Sequence, residues 1–142
     1  MNKFLIALVV ILGLLFLVGC SSADDASSGD SITGVDWQWQ SVTNKDTGEM
    51  TTVPQPKDYT ITFNDDGTFE GKADCNNIAG TWSLENGFTI TVGPSTMAFC
   101  GEASLDTVYL GLLSNIVAGG PDGSGVLALE TAGGQQRMLF ES

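Results

Sequence analysis

Histidine is missing altogether from the 142 residues, and basic residues are scarce, with five Lys and Arg against 17 Asp and Glu. Without an imidazole the chain lacks the usual general base near neutral pH and the commonest transition-metal ligand. Any Ser–His or Cys–His nucleophile pair is excluded. The shortage of bases speaks against nucleic acid, which proteins hold mainly through Lys and Arg on phosphates. A formal net charge of −12 also disfavours lying flat on anionic lipid. Its plain meaning is a soluble acidic surface, with an acidic cation-binding face as the alternative. Cysteine is sparse too, three in all. Long hydrophobic runs are limited to one, at the very start.

That run is Phe4 to Val18, preceded by Asn2 and Lys3 and broken in bulk only by Gly13. Fifteen helical residues span about 22 Å, short of the ~30 Å hydrocarbon core of a bilayer. A secretory signal fits this length better than a permanent anchor. The next residues, Leu17-Val18-Gly19-Cys20-Ser21-Ser22, resemble the bacterial lipobox. The resemblance implies a signal peptide over 1–19, cleavage before Cys20, and a diacylglyceryl thioether on the Cys20 thiol. An uncleaved membrane helix with an incidental Cys is the competing reading. Lipid chains of this kind anchor stably, at ~0.8 kcal/mol per buried CH₂. By the sorting rule of two-membrane cells, Ser21 leaves the outer membrane open as a destination, beside the cell membrane. All 17 acids lie beyond Cys20, so the cleaved chain keeps four bases against them, a side-chain balance of −13.

Residues 20–32 are expected to form the lipidated Cys and a flexible Ser/Asp/Gly-rich tether. Residues 33–142 are long enough for one domain with a modest core. From Asp36 onward, two-residue periodicity dominates. Trp37 and Trp39 share one face. Residues 44–58 read as a long polar connection whose prolines disfavour central strand. Tyr59, Ile61 and Phe63 alternate with threonines, Asn64-Asp65-Asp66-Gly67 supplies a turn, and Thr68 to Lys72 returns. Ala79 to Leu84 is the next expected strand. Asn86-Gly87 then turns into the alternating Phe88, Ile90 and Val92. Leu105, Val108, Tyr109, Leu112 and Ile116 recur at helical spacing, which predicts a helix over 103–117, started near Ser104 and stopped at Gly119-Gly120-Pro121. Val126–Thr131 and Arg137–Glu141 form a closing hairpin around Gly133-Gly134. The expected fold is α+β, mainly β: a curved antiparallel sheet or partly closed barrel with one helix packed on it.

Two segments carry a further resemblance. They are Ala73-Asp74-Cys75-Asn76-Asn77-Ile78-Ala79-Gly80-Thr81-Trp82 and Gly93-Pro94-Ser95-Thr96-Met97-Ala98-Phe99-Cys100. With the early Trp37 and the strand ending Phe63-Asn64-Asp65-Asp66-Gly67, they resemble the META domain, the family of the HslJ-type heat-shock lipoproteins. The likeness covers about 33–142. This chain departs from the family pattern at Asp74, where Gly often precedes Cys-Asn, and at Phe99, which separates Ala98 from Cys100. The resemblance implies a small β-rich domain exposed in the cell envelope. Family members are linked with stress response, antibiotic tolerance and secretion, and no established enzymatic reaction comes with the likeness.

If Cys20 takes lipid, Cys75 and Cys100 remain outside the cytoplasm, where disulfides persist. A structural bridge would close a loop of about 26 residues and contribute roughly 3.5 kcal/mol. A redox pair is the alternative. It normally has close CxxC spacing or a basic neighbour, whereas Asp74 adjoins Cys75. Asn64-Asp65-Asp66-Gly67 resembles part of a calcium loop, but position twelve, which needs Glu, is Cys75, so a hairpin turn is expected. Asn76 is expected to satisfy loop backbone groups, and with Gly80, Trp82 and Thr96 to serve a structural motif. Trp37, Trp39 and Trp82 are expected in the core, a ligand platform being the alternative. No catalytic residue, metal site or cofactor is expected. The expected partners are the membrane, through the N-terminal lipid, and an envelope protein. A transport or chaperone-like module holding a small apolar ligand inside the sheet is the second reading. A carboxylate-based hydrolase is a distant third, since no motif places two acids together.

Overall fold

The computed structural model describes residues 31–142, so the 1–19 signal, Cys20 and most of the tether lie outside the described residues. The elements are β1 (Asp36–Asn44), β2 (Met50–Thr52), β3 (Tyr59–Phe63), β4 (Thr68–Ala73), β5 (Asn76–Ser83), β6 (Thr89–Val92), α1 (Asp106–Leu113), β7 (Ile116–Pro121), β8 (Val126–Thr131) and β9 (Gln136–Glu141). All the strands join one antiparallel sheet in the order β6-β5-β4-β3-β1-β9-β8-β7. Short β2 pairs Ser41–Thr43 of β1, while β3 pairs Asp36–Gln38, so the two share one side of β1. The outer strands β6 and β7 curl toward each other, and the Phe88 N–H donates to the Val117 carbonyl at 3.0 Å. The result is the expected mainly-β fold, a nearly closed barrel with one helix among the described residues.

The alternating pattern explains the strands. Tyr59, Ile61 and Phe63 of β3 are all buried, as are Trp37 and Trp39 of β1. The Asn64–Gly67 segment is a hairpin turn. Asp66 Oδ1 accepts both the Thr68 N–H (2.9 Å) and the Thr68 hydroxyl (2.6 Å). Those two bonds hold the Asp66 carboxyl below the usual carboxylate range. Gly67, at φ +82°, supplies the left-handed conformation the turn needs.

Aromatic rings fill the interior. Trp39 stacks on Tyr109 of α1 at 5.1 Å between centroids, and Tyr59 meets both edge-on at 5.8 Å. Phe63 packs against Phe69, Trp82 and Phe88. The indole donors are satisfied by carbonyl oxygens of Ile32, Ser41 and Asn64. The three tryptophans are thus packing groups, with Trp82 half-buried at one side, and Ile32 already belongs to the core. Burial pushes the Tyr109 hydroxyl well above its ordinary pKa of 10.

Three boundaries differ from expectation. The helix covers 106–113 and not 103–117. The Ser114 hydroxyl and Asn115 amide bond back to the Leu110 and Gly111 carbonyls, at 2.9 and 2.8 Å, and draw off the last turn. Ile116 fits helical and strand spacing alike, and pairing with Thr131 of β8 decides for strand. Gly119-Gly120-Pro121 therefore ends β7 and does not stop the helix, so three strands follow α1. Next, β5 begins at Asn76, three residues before Ala79, because Asn76 already pairs with Ala73 of β4. Last, the 44–58 connection contains β2, an edge strand compatible with the prolines that follow it.

Candidate functional site

One end of the barrel gathers most of the sequence-predicted residues. There β3 begins, β4 ends and β5 begins, and α1 closes the opening with Tyr109 and Leu113 fully buried. Residues 93–105 cross this end as an irregular segment between β6 and α1. Cys75 and Cys100 form the expected disulfide across it, with Cα atoms 5.6 Å apart. Asp74, just before the bridge, sits at φ +59°, a conformation for which Gly is the easiest residue. Its Oδ2 accepts the Tyr59 hydroxyl at 3.2 Å, and Tyr59 Oη in turn accepts the Leu105 N–H at 2.8 Å. Tyr59 of β3 therefore ties the start of the helix to the Asp74 turn between β4 and β5.

Asn76 is 2% exposed and faces the crossing segment. Its Oδ1 accepts the Ala98 N–H at 2.7 Å, and its Nδ2 donates to the Ala98 carbonyl at 2.9 Å. Nδ2 also lies 3.4 Å from Asp106 Oδ2 on α1. Thr96 repeats the device one position along: its Oγ1 accepts the Asn77 N–H at 2.9 Å, while its own N–H donates to the Asn77 carbonyl at 3.2 Å. Gly80 sits farther along β5, where a Cβ would collide with the Thr91 carbonyl oxygen and lie 2.6 Å from the Phe69 ring. Trp82 belongs to the opposite end of β5, on Phe63 and Phe88. The structure thus brings Cys75, Cys100, Asn76 and Thr96 together and leaves Gly80 and Trp82 as packing residues.

Between the crossing segment and α1 runs an open groove of about 400 Å³, lined by Met97, Phe99, Leu110, Glu102 and Asp106 among others. Met97 and Phe99 are 85% and 83% exposed. Neither is an expected site residue, although Phe99 stands out in the sequence as the residue that separates Ala98 from Cys100. Among the described residues, Cys, Asp and Glu gather in no group of three suited to a metal ion. Asn76, Thr96 and Tyr59 spend their side-chain hydrogen bonds on ordering the 93–105 segment. What the arrangement does chemically is present a fixed surface.

A nearly closed antiparallel barrel, plugged by a helix and crossed by a disulfide-pinned segment, defines a small β-barrel domain. The META domain model matches residues 30–142, and the chain belongs to the META domain family. Two solved structures share the fold. A DUF4847 family protein from Bacteroides vulgatus is 19% identical with a TM-score of 0.60, covering 78% of this chain and 93% of its own. A protein from Burkholderia xenovorans, solved by NMR, is 21% identical with a TM-score of 0.62, covering 78% of this chain and 82% of its own. No curated protein sequence matches the chain.

Proposed function

We propose that this META domain protein is lipid-anchored through Cys20 in the cell envelope and works there by binding, without catalysis. The observation that carries the reading is the disulfide-pinned end of the barrel. Its polar side chains serve backbone order, while two large apolar side chains stand in solvent. A disulfide of this kind belongs outside the cytoplasm, in keeping with a lipobox at Leu17–Cys20. The same residues argue for anchoring to the cell membrane or outer membrane, with the domain on the extracytoplasmic side. Stress or antibiotic tolerance is the physiological setting that the HslJ likeness suggests. The transport reading finds little support, because Trp37, Trp39, Phe63, Phe69, Tyr109 and Phe140 occupy the interior that an apolar ligand would need.

Growth with an alkyne-bearing fatty acid, followed by mass spectrometry, tests the anchor. The expected product begins at an acylated Cys20, and Cys20→Ala should move the protein from the membrane fraction to the soluble one. An unmodified Cys20 behind an intact 1–19 segment would refute the reading.

A further inference from the structure

The Met97–Phe99 groove has the features of a docking site. Exposed apolar residues are common on protein surfaces when scattered. These two lie on one short segment, beside Leu110, and that segment cannot fold inward. The Cys75–Cys100 bridge fixes one end, the Asn76 side chain grips Ala98 from both sides, and Thr96 is tied twice to Asn77. A surface held this way gives up little conformational entropy when a partner arrives.

Charge narrows the partner. Glu102 and Asp106 line the groove, and no Lys or Arg does. Two of the four bases among the described residues are engaged elsewhere, Lys45 with Glu130 and Lys72 with Asp58. The described chain enters at Thr33 and Gly34, which bond to Phe63, while the groove lies at the Tyr59 end of the same strand. Four residue steps of β3 place those ends about 13 Å apart. The groove and the start of the described residues therefore stand at opposite ends of β3. Acidic residues beside it oppose an anionic bilayer and a second copy of this acidic chain alike.

We propose that the groove between the disulfide-pinned segment and α1 docks an exposed peptide segment of another envelope protein, one in which an apolar side chain is flanked by Lys or Arg. The apolar side chain packs against Met97, Phe99 and Leu110, and the bases meet Glu102 and Asp106. This deepens the anchored binding reading given above and rests on it for location.

The test is selection of random displayed peptides on the full-length protein in nanodiscs, followed by titration of the enriched peptides. Enriched sequences should pair an aromatic or aliphatic residue with neighbouring Lys or Arg. The Met97→Ser/Phe99→Ser protein should bind them at least roughly tenfold more weakly with its melting temperature unchanged. Glu102→Lys should weaken them too, and raising salt from 50 to 500 mM should weaken the parent complex and leave the Glu102→Lys complex less affected. Enrichment of acidic or uncharged peptides, no enrichment over the double-serine protein, or a double-serine phenotype confined to vesicle binding or self-association would each overturn the inference. Lipidation at Cys20 is read separately by mass. A lipidated protein that binds no such peptide defeats the docking site alone, and an unlipidated one that binds them defeats the anchor alone.

Discussion

Asn76 shows how much order one buried amide can impose. An amide carries both donors and an acceptor, so it can mimic a strand neighbour for a segment that has none. Here it answers both backbone groups of Ala98, at 2.7 and 2.9 Å. Asn76→Ala removes both bonds, made by a side chain that is itself buried, and should destabilise the domain by about 1–3 kcal/mol. In a domain of this size that lowers the melting temperature by roughly 4 °C or more, as calorimetry would record. Asn76→Asp is the sharper test. It turns the donor that faces the Ala98 carbonyl and Asp106 Oδ2 into a second acceptor with a negative charge. At neutral pH it should be less stable than the alanine variant. Since the fold disfavours that new charge, protonating it removes part of the penalty, and the gap should narrow as the pH is lowered toward 4. An unchanged melting curve for Asn76→Ala would refute the structural role. Gly80 works by the opposite principle, contributing by what it lacks, since any side chain there meets the β6 backbone.

The element that matters most is the irregular segment 93–105, which neither helix nor strand bonding stabilises from within. Its order comes from the Cys75–Cys100 bridge, which spans a sequence separation of 25. Chain-entropy arithmetic for a loop of that size gives about 3.5 kcal/mol. Reduction, or paired Cys75→Ser and Cys100→Ser substitutions, should therefore lower stability by an amount of that order in urea unfolding. Chymotrypsin should then cut first at Phe99. Equal stability and equal protease resistance with and without the bridge would show that the side-chain bonds suffice. The pairing was legible in the sequence because only two cysteines remain once Cys20 is set aside for lipid. Strand order around β3, β4 and β5 was legible too, since alternation and turn residues agree there. The short helix was not. Leu112 and Ile116 satisfy helical spacing, and only the pairing of Ile116 with Thr131, far along the chain, reassigns it to β7. β2 was hidden for a similar reason: its residues are exposed on both faces, so no alternation marks it. The groove was out of reach because burial of Asn76, in a polar stretch, and exposure of Phe99, in the apolar stretch Met97-Ala98-Phe99-Cys100, are products of the tertiary fold.

At the scale of the whole molecule, charge is the dominant unbalanced quantity. Residues 31–142 carry 14 acids against four bases. The two ion pairs formed among the described residues, Lys45–Glu130 at 3.3 Å and Lys72–Asp58 at 3.6 Å, join side chains that are 30% to 47% exposed. Pairs this open are worth ~0–1 kcal/mol each. Against them stand the mutual repulsions of some ten unmatched carboxylates, which the compact state holds closer together than the unfolded chain does. Salt screens both, with the Debye length falling from ~30 Å at 0.01 M to ~8 Å at 0.15 M. The pairs are short-ranged and few, whereas the repulsions are long-ranged and many, so screening removes more repulsion than attraction. Melting temperature should accordingly rise as sodium chloride goes from 10 to 150 mM at pH 7, with most of the rise complete by the upper value. Reversing one charge on the acidic surface, as in Glu85→Lys, should raise the low-salt value and flatten the dependence. A melting temperature that fell with salt would mean that the two ion pairs outweigh the net charge.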